Sequence, residues 1–412
     1  MPKQRHILGL IFLFFTGATL PLHAQTTTGC TDPQALNYNP DANVNDGSCI
    51  YPPTSYQALL LDTLAQSLEE ISGLEFFNAS LWAQTDSGTP QKIYSLQPQT
   101  GEIQQQTLIV NSSNIDWEDL ACDGTYLYVG DFGNNSGDRN DLRIYKIPLD
   151  ELNQNAAPSE LITFQYEDQT QFDPAFNQNN YDCEAFFFAN DSLHLFTKRW
   201  LDYKTYHYVL PAQAGNYTAV LCDSFDTQAL ITAADIDEEG NILLLGLSPL
   251  TQDAILWLLF DYPDQHFFAG NKRRISLGSP FLTGQLESLC FTSPLQGYLA
   301  GEKFGLLPPQ IFQFDLQPLI NEAASSGLSA NAITIYPTPS ENLLYLQWSE
   351  DLALRQIEIF NARGQLLQSQ NWENPPRQPL QIQLTNNLPA GLYFLQCTDQ
   401  YGRKTTLAHM HK

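Results

Sequence analysis

The chain has 412 residues, which is more than one average domain needs and enough for a large hydrophobic core. A hydrophobic content of 43% and an aromatic content of 12% indicate a folded, strand-rich protein and exclude a disordered one. With 45 Asp and Glu against 19 Lys and Arg, the formal net charge of -26 would repel a nucleic-acid backbone or an anionic lipid surface. We therefore expect no nucleic-acid partner, whereas a bound cation would be stabilised.

Residues 1–24 have the pattern of a secretory signal peptide. Lys3 and Arg5 precede the apolar run ILGLIFLFF, and LHA before Gln25 is typical of a cleavage site. A membrane anchor is the alternative, but the apolar run is shorter than the roughly 20 residues of a spanning helix. No later segment is long and apolar enough to span a membrane. The sequence therefore predicts export through the periplasm to the cell surface or the medium.

Residues 25–54 are predicted to form a small module and a linker. Cys30 and Cys49 bracket a segment rich in Asn and Asp that has no apolar core, so we predict a disulfide between them in the oxidising compartment. The DANVNDG stretch carries oxygen ligands at a spacing that a calcium loop favours: Asp41, Asn43, Asn45 and Asp46. The segment resembles Cys-bounded modules of exported Bacteroidetes proteins, which are loosely similar to thrombospondin type 3 calcium repeats. A metal-free, disulfide-bonded spacer is an equal alternative.

Five further cysteines remain after this pair, and we expect most of them to be buried small hydrophobic residues. They are Cys122, Cys183, Cys222, Cys290 and Cys397.

Residues 55–320 contain a repeat. Five similar stretches start at residues 71, 117, 183, 233 and 286, and each reads as two apolar strands around a turn. A third strand follows each pair, and a fourth follows the first four copies. YQALLLDTL (56–64) would supply the strand that the last copy lacks, as in the closure of a propeller ring. The pattern predicts a five-bladed β-propeller, or a six-bladed one if the long second copy hides a hairpin; a β-sandwich does not explain the repeat.

Acidic residues recur where each innermost strand of the repeat begins. Strand side chains alternate, so acids two residues apart share a face that would line the central channel. Six carboxylates are expected to converge at one mouth of the channel: Glu70, Asp116, Glu118, Asp182, Glu184 and Glu287. Ser72 and Ala234 are expected at the two equivalent positions that lack an acid, so a symmetric five-carboxylate site is not predicted.

The inner-strand pattern resembles that of the SdiA-regulated propellers and, more distantly, of calcium-activated nucleotidase and phytase-like propellers. The resemblance implies that these acids can hold Ca²⁺, and it extends best to Glu118, Glu184 and Glu287. The alternative is that the acids accept hydrogen bonds from backbone amides of neighbouring blades. Hard oxygen ligands favour Ca²⁺ or Mg²⁺ over zinc. The histidines of this region also have no spacing typical of zinc ligands.

A second polar layer follows the second strands, where propellers usually bind ligands. Its candidate ligand-binding residues are Asp86, Asp131, Lys198, Arg199, Glu302 and Lys303. The DFGNNSGDRND stretch (131–141) is expected to be a binding loop. No GxSxG, HExxH or P-loop motif is present. The sequence thus favours a propeller that binds a glycan, peptide or small molecule, with a calcium-dependent phosphoesterase as the alternative.

The end of the chain changes in character. Residues 321–331 read as a small-residue linker, and residues 332–412 alternate as seven short strands of a β-sandwich. YPTPS, IEIFNARGQLL, LPAGLYFLQ and GRKTTLAHMHK occur in the order typical of the sorting domain of type IX secretion cargo, which this segment resembles. An adhesive immunoglobulin-like module is the alternative. We expect a monomer that the type IX secretion machinery recognises.

Overall fold

The computed structural model describes residues 26–321, 333–340, 342–348, 352–372, 376–384, 388–399 and 404–412. The predicted signal peptide and all but the first residue of the predicted linker at 321–331 lie outside these residues. Within the described ranges, no helix is long and apolar enough to cross a membrane.

The central part of the chain consists of five antiparallel units, preceded by four short strands. The preceding strands are β1 (Thr28–Gly29), β2 (Val44–Asn45), β3 (Thr54–Ser55) and β4 (Leu59–Thr63). Unit 1 has β5 (Ile71–Phe77), β6 (Ser80–Thr85), β7 (Lys92–Leu96) and β8 (Ile103–Val110). Unit 2 has β9 (Trp117–Cys122), β10 (Tyr126–Asp131), β11 (Arg143–Pro148) and, after the short β12 (Ala156–Pro158), β13 (Glu160–Tyr166).

The remaining units follow the same order. Unit 3 has β14 (Asp182–Ala189), β15 (Ser192–Lys198), β16 (Thr205–Pro211) and β17 (Gly215–Phe225). Unit 4 has β18 (Leu230–Ile236), β19 (Ile242–Leu247), β20 (Ala254–Phe260) and β21 (Asn271–Gly278). Unit 5 has β22 (Gln285–Ser293), β23 (Gln296–Glu302) and β24 (Gln310–Asp315). Helices are short: α1 (Pro280–Thr283), α2 (Gln317–Asn321) and three 3-10 turns at Gln66–Leu68, Leu149–Asn153 and Phe267–Ala269.

The units form a closed ring. Their first strands contact one another in the cyclic order β5, β9, β14, β18, β22 and back to β5. Strand β4 pairs antiparallel with β24 and completes unit 5, which confirms the role predicted for YQALLLDTL. Outer strands add a parallel pairing of β13 with β17, which joins units 2 and 3 into one eight-stranded sheet. Closure of this kind leaves few strand edges exposed.

Hydrophobic side chains of neighbouring units fill the space between them. Five clusters of buried residues lie at the five junctions, including the one between units 5 and 1. Trp117 is fully buried between units 1 and 2 with Trp82 and Leu127. Each such side chain contributes roughly 1.5–3 kcal/mol through burial. The alternating apolar positions of the strands therefore hold the ring together and leave its two ends to polar residues.

We call the end at which the first strands begin the acidic face and the opposite end the far end. In antiparallel units the second strand ends, and the third begins, at the acidic face. The segments that connect them, and those that lead into each first strand, therefore lie together around one mouth of the channel.

The C-terminal part has two sheets that share one hydrophobic cluster. Its strands are β25 (Ile333–Tyr336), β26 (Leu343–Trp348), β27 (Leu354–Asn361), β28 (Leu366–Asn371), β29 (Leu380–Gln383), β30 (Gly391–Asp399) and β31 (Lys404–His411). The sheet orders are β25-β26-β29 and β28-β27-β30-β31.

Cys30 and Cys49 form a disulfide, as predicted. Of the other cysteines, Cys183, Cys290 and Cys397 are buried, whereas Cys122 is half-buried and Cys222 is exposed.

The N-terminal module is attached to the far end of unit 4 and to the C-terminal part. The Asn45 side-chain amide donates to the carbonyl oxygen of Asp261 at 3.0 Å and to its Oδ2 at 2.9 Å. Leu36 packs with Phe360 and Phe394 of the C-terminal strands. The module thus connects the two larger parts of the protein.

Candidate functional site at the acidic face

A β-bulge in each first strand directs one polar side chain toward the channel mouth. Bulges re-aim side chains by inserting an extra residue into one strand of a pair. The five bulges contain Ser72, Glu118, Glu184, Thr232 and Glu287. The predicted equivalence of Ala234 with Ser72 is therefore wrong, because the bulge of unit 4 lies two residues earlier. Ser72 and Thr232 donate hydroxyl hydrogen bonds to Glu118 O and Leu286 O of the next unit, at 2.6 and 3.4 Å.

Eight carboxylates surround the mouth, and a sequence argument places only six of them in one group. Electrostatic interactions connect them in chains from Glu302 through Glu287 to Glu184. The set comprises Glu70, Asp86, Asp116, Glu118, Asp182, Glu184, Glu287 and Glu302. The sequence predicts Asp86 and Glu302 for the surrounding polar layer, but they lie within the acidic group because the second strands end beside the bulges.

Asp86, Asp116 and Glu118 come closest together. One carboxylate oxygen from each lies within 4.8 Å of the others. Asp86 and Asp116 are half-buried and Glu118 is buried. Oxygen atoms at such separations can bind one hard cation between them.

Glu302 adds a buried carboxylate beside Glu287, and one of its two oxygens is unpaired. Only 8% of Glu302 is exposed, and its enclosed Oε1 has no hydrogen-bond partner among the described residues. Burial raises the pKa of Glu302 well above its usual value, and the neighbouring Glu287 adds to the increase. An enclosed acceptor without a donor costs free energy, which a bound cation would recover.

The pKa values of Asp86, Asp116 and Glu118 are all raised, in agreement with this crowding of buried carboxylates. Burial raises the pKa of Asp86 to about 7, and the charges of Asp116 and Glu287 contribute. Burial likewise raises the pKa of Asp116 to about 6. For Glu118, burial and then Glu184 raise the pKa well above its usual value. Without a cation, the simultaneous ionisation of all three acids is therefore unfavourable at neutral pH.

The loop at 131–141 lies against Asp116 and Glu118. A side chain at Gly133 would collide with Glu118 and would place its Cβ 2.5 Å from Asp116 Oδ2, so a larger residue would displace these carboxylates. The backbone amide of Asn134 donates to Asp182 Oδ1 at 2.6 Å, and the Trp200 indole donates to Asp182 Oδ2 at 2.9 Å. These two donors fully engage the buried Asp182.

The Asp131 carboxylate stabilises the start of this loop and is not available to bind a ligand. It is fully buried and accepts the backbone amide of Asp116 at 3.1 Å. Arg139 Nη2 lies 3.1 Å from Asp131 Oδ1, and Arg143 Nε lies 3.8 Å from Oδ2. The loop geometry thus depends on a buried ion-pair network.

The predicted basic residues of the mouth are each paired with a carboxylate. Lys198 Nζ lies 2.6 Å from both oxygens of Glu184. Although burial lowers the pKa of Lys198, Glu184 outweighs it and keeps the lysine charged. Arg199 Nη2 lies 2.7 Å from Asp202 Oδ2, and Lys303 Nζ lies 3.0 Å from Glu69 Oε2. Lys198 therefore belongs to the acidic group, whereas Arg199 and Lys303 are engaged with acids outside it.

Two acidic features were missed by the sequence analysis. Asp119 is fully buried and accepts the amides of Phe186 and Ala234 at 3.1 and 3.3 Å, so it links three units across the channel. At the far end, Glu75 and Asp235 line a cavity of about 210 Å³. Both lie on first strands, but alternation continued from Ser72 and Thr232 leads to Leu74 and Ala234, because the bulges at those two residues shift the phase. A period-two reading of the sequence would therefore have missed them.

The predicted calcium ligands of the N-terminal module take part in local turns and docking. Asn43 Oδ1 accepts the Thr27 amide at 2.9 Å, and Asp46 Oδ1 accepts the Ser48 amide at 3.0 Å. The Asp41 amide donates to Asn39 Oδ1 at 3.1 Å, and Asn45 contacts unit 4. Calcium binding by Asp41, Asn43, Asn45 and Asp46 stays a prediction.

The ring of β-units with an acidic channel mouth is a β-propeller-like fold. Residues 334–407 match the secretion system C-terminal sorting domain family. The protein is therefore exported by type IX secretion, to the cell surface or into the medium. No curated protein sequence matches the chain. The expected membership of the SdiA-regulated or phytase-like families stays a prediction.

Several solved structures share the propeller-like architecture at low similarity. An exo-β-1,3-galactanase from Phanerochaete chrysosporium is 10% identical, with 86% of this chain and 99% of that chain covered and a TM-score of 0.42. The PQQ-bound aldose sugar dehydrogenase from Streptomyces coelicolor is 12% identical, with 64% and 98% covered and a TM-score of 0.40. The calcium-binding protein regucalcin from Agrobacterium tumefaciens is 10% identical, with 64% and 95% covered and a TM-score of 0.35. Similarity at this level carries no functional argument.

Proposed function

We propose that this exported protein is a five-bladed β-propeller that binds a ligand at its acidic face and holds Ca²⁺ there. Each of units 1 to 5 would be one blade, and the two C-terminal sheets would form the sandwich of the sorting domain. Asp86, Asp116 and Glu118 would be the cation ligands, with Glu302 close by.

The observation that carries this proposal is the approach of three carboxylate oxygens to within 4.8 Å of one another. At the mouth, eight carboxylates outnumber three basic residues: Lys198, which Glu184 engages at 2.6 Å, Arg139, which acts on Asp116, and Lys303, which acts on Glu70. Like charges at this density are stable when protons or a cation offset them. Hard oxygen ligands and half-buried, adaptable side chains favour Ca²⁺ over a soft transition metal.

A binding function has more support than phosphoester hydrolysis. A phosphate at the mouth would need free positive charge in addition to the metal. Of the predicted basic residues, Lys198, Arg199 and Lys303 are each committed to a carboxylate. The calcium-dependent hydrolase therefore stays a second hypothesis, to be tested with a chromogenic phosphoester.

Calorimetric titration of the full chain with CaCl₂ tests the proposal. The wild type should bind Ca²⁺ at the mouth, and the double variant Asp116→Asn, Glu118→Gln should lose that binding because two ligand charges are removed. The matched control is Asp41→Asn, Asp46→Asn, which removes two charges from the N-terminal module and keeps the mouth. The full chain is used because deletion of the module would expose Phe260 of unit 4, which packs against Tyr51. Equal Ca²⁺ binding by the wild type and the mouth variant would refute the proposal.

A further inference from the structure

The most exposed apolar side chains of the protein are concentrated at one end of the ring. Six of the seven most exposed large apolar side chains in the described ranges lie in the connections at the acidic face. We call these six the apolar rim: Phe176, Leu201, Leu250, Phe281, Leu282 and Leu306. The seventh, Leu59, lies on the outer strand β4. The ring's far-end connections between described strands contribute no member to this group.

The rim residues come from units on several sides of the mouth. Leu201, Leu250 and Leu306 lie between the second and third strands of units 3, 4 and 5, and they are 61%, 91% and 104% exposed. Phe281 and Leu282 lie on α1, which leads into the first strand of unit 5. Apolar side chains exposed in this way, beside a polar centre, are typical of interaction surfaces.

The charge inside the rim defines what can dock there. Glu70 is exposed and Asp86 and Asp116 are half-buried, so these carboxylates are accessible from the mouth. A partner must therefore bring positive charge to the centre and apolar groups to the periphery. An anionic membrane would be repelled by this face and by the net charge of -26. The rim's six side chains, four leucines and two phenylalanines, suit the apolar side chains of a polypeptide partner.

The acidic face is also turned away from the attachment points of the other domains. The N-terminal module contacts the connection after β20, at the far end, through Asn45 and Asp261. That module in turn packs on the C-terminal sorting domain through Leu36. The last strand of the ring, β24, likewise ends at the far end. Within the described residues, these attachment points therefore lie away from the acidic face.

We propose that the acidic face docks a cationic polypeptide segment, with Lys or Arg side chains over the carboxylates and the flanking apolar side chains on the apolar rim. The inference rests on the proposed function, because it specifies the ligand class of the same face. It requires both surfaces together, since charge alone would give weak, salt-sensitive binding.

Short synthetic peptides test this pairing with the full chain. The probes are a peptide of alternating leucine and lysine, a second in which serine replaces leucine, and a third in which glutamate replaces lysine. The leucine–lysine peptide should bind, and each of the other two should bind at least about tenfold more weakly because one half of the recognition is missing. Equal binding of the serine–lysine peptide would overturn the role of the rim.

Two variants locate the binding on the protein. Leu250→Ser, Leu306→Ser should weaken the leucine–lysine peptide about tenfold or more and leave Ca²⁺ binding and the melting temperature unchanged, because both side chains are exposed. Glu70→Gln should weaken the same peptide through loss of charge. Unchanged affinity in both variants would overturn the proposal.

Other occupants of the face give distinct results. Light scattering that shows a dimer in the wild type and a monomer in the rim variant would make the rim a contact between copies and overturn the peptide assignment. Rim-dependent binding to phosphatidylglycerol vesicles would likewise overturn it. Peptide binding without Ca²⁺ binding would refute the calcium site and leave this inference standing.

Discussion

Asp86 at the channel mouth gives a pH-dependent stability that a single substitution should remove. The change is Asp86→Asn, which keeps the size of the side chain and the Oδ1 acceptor that the Ser87 amide uses. Because the pKa of Asp86 is raised in the folded protein, the folded state holds this proton more tightly than the unfolded state does. The corresponding stability is fully present below the unfolded pKa of 3.8 and is lost as pH rises through about 7.

The expected magnitude follows from the two pKa values. A difference of one in pKa corresponds to about 1.4 kcal/mol, so ionisation of Asp86 should cost the metal-free protein on the order of 4 kcal/mol by pH 8. For a domain of this size, that corresponds to roughly 10 °C in melting temperature. The asparagine variant should avoid this loss and be the more stable protein at pH 8 in EDTA.

Thermal unfolding at pH 4 to 8, in EDTA and in CaCl₂, measures both effects. Calcium should stabilise the wild type increasingly as pH rises, because it binds the ionised carboxylates of the native state. It should stabilise Asp86→Asn much less. Asp235→Asn at the far end is the matched control, because burial also raises the pKa of Asp235 to about 7. That control should keep the full calcium response.

Two results would contradict this reasoning. If the wild type and Asp86→Asn lose stability in parallel between pH 4 and 8, Asp86 does not carry the penalty. If Asp235→Asn abolishes the calcium response and Asp86→Asn keeps it, the cation lies at the far end of the channel.

Three further perturbations test other parts of the argument. Removal of residues from Ala332 onward should leave a folded ring in the periplasm, because the sorting domain has its own core; fractionation would show export if this is wrong. Deletion of residues 55–65 exposes the edge of β24 and should cause aggregation or loss of cooperative melting, and an unchanged transition would contradict the closure by β4. Gly133→Ala should displace the loop from Glu118 and weaken Ca²⁺ binding about tenfold or more in calorimetry, whereas Gly391→Ala, with open space around it, should not; equal binding would show that the loop is not part of the site.

Features encoded over short stretches could be predicted from the sequence. Export followed from ordered C-terminal motifs, and the disulfide from two cysteines around a segment without a core. The ring closure by YQALLLDTL followed from counting strands, since an unpaired edge must find a partner. Each of these inferences depends on a local pattern or on the number of strands, and both can be read from the sequence alone.

The composition of the site depended on tertiary structure. Alternation places Glu118, Glu184 and Glu287 near one mouth, but bulges change the phase, so Thr232 and not Ala234 occupies the equivalent position in unit 4. Asp86 joins Asp116 and Glu118 only because two units meet there. Lys198 is engaged by Glu184 at 2.6 Å, which no spacing rule reveals. The sequence by itself determined which strands repeat and where the protein is sent, because periodicity and motifs are local. The closed ring decided which carboxylates lie next to one another, because electrostatic interactions act between side chains that the fold brings together from different units.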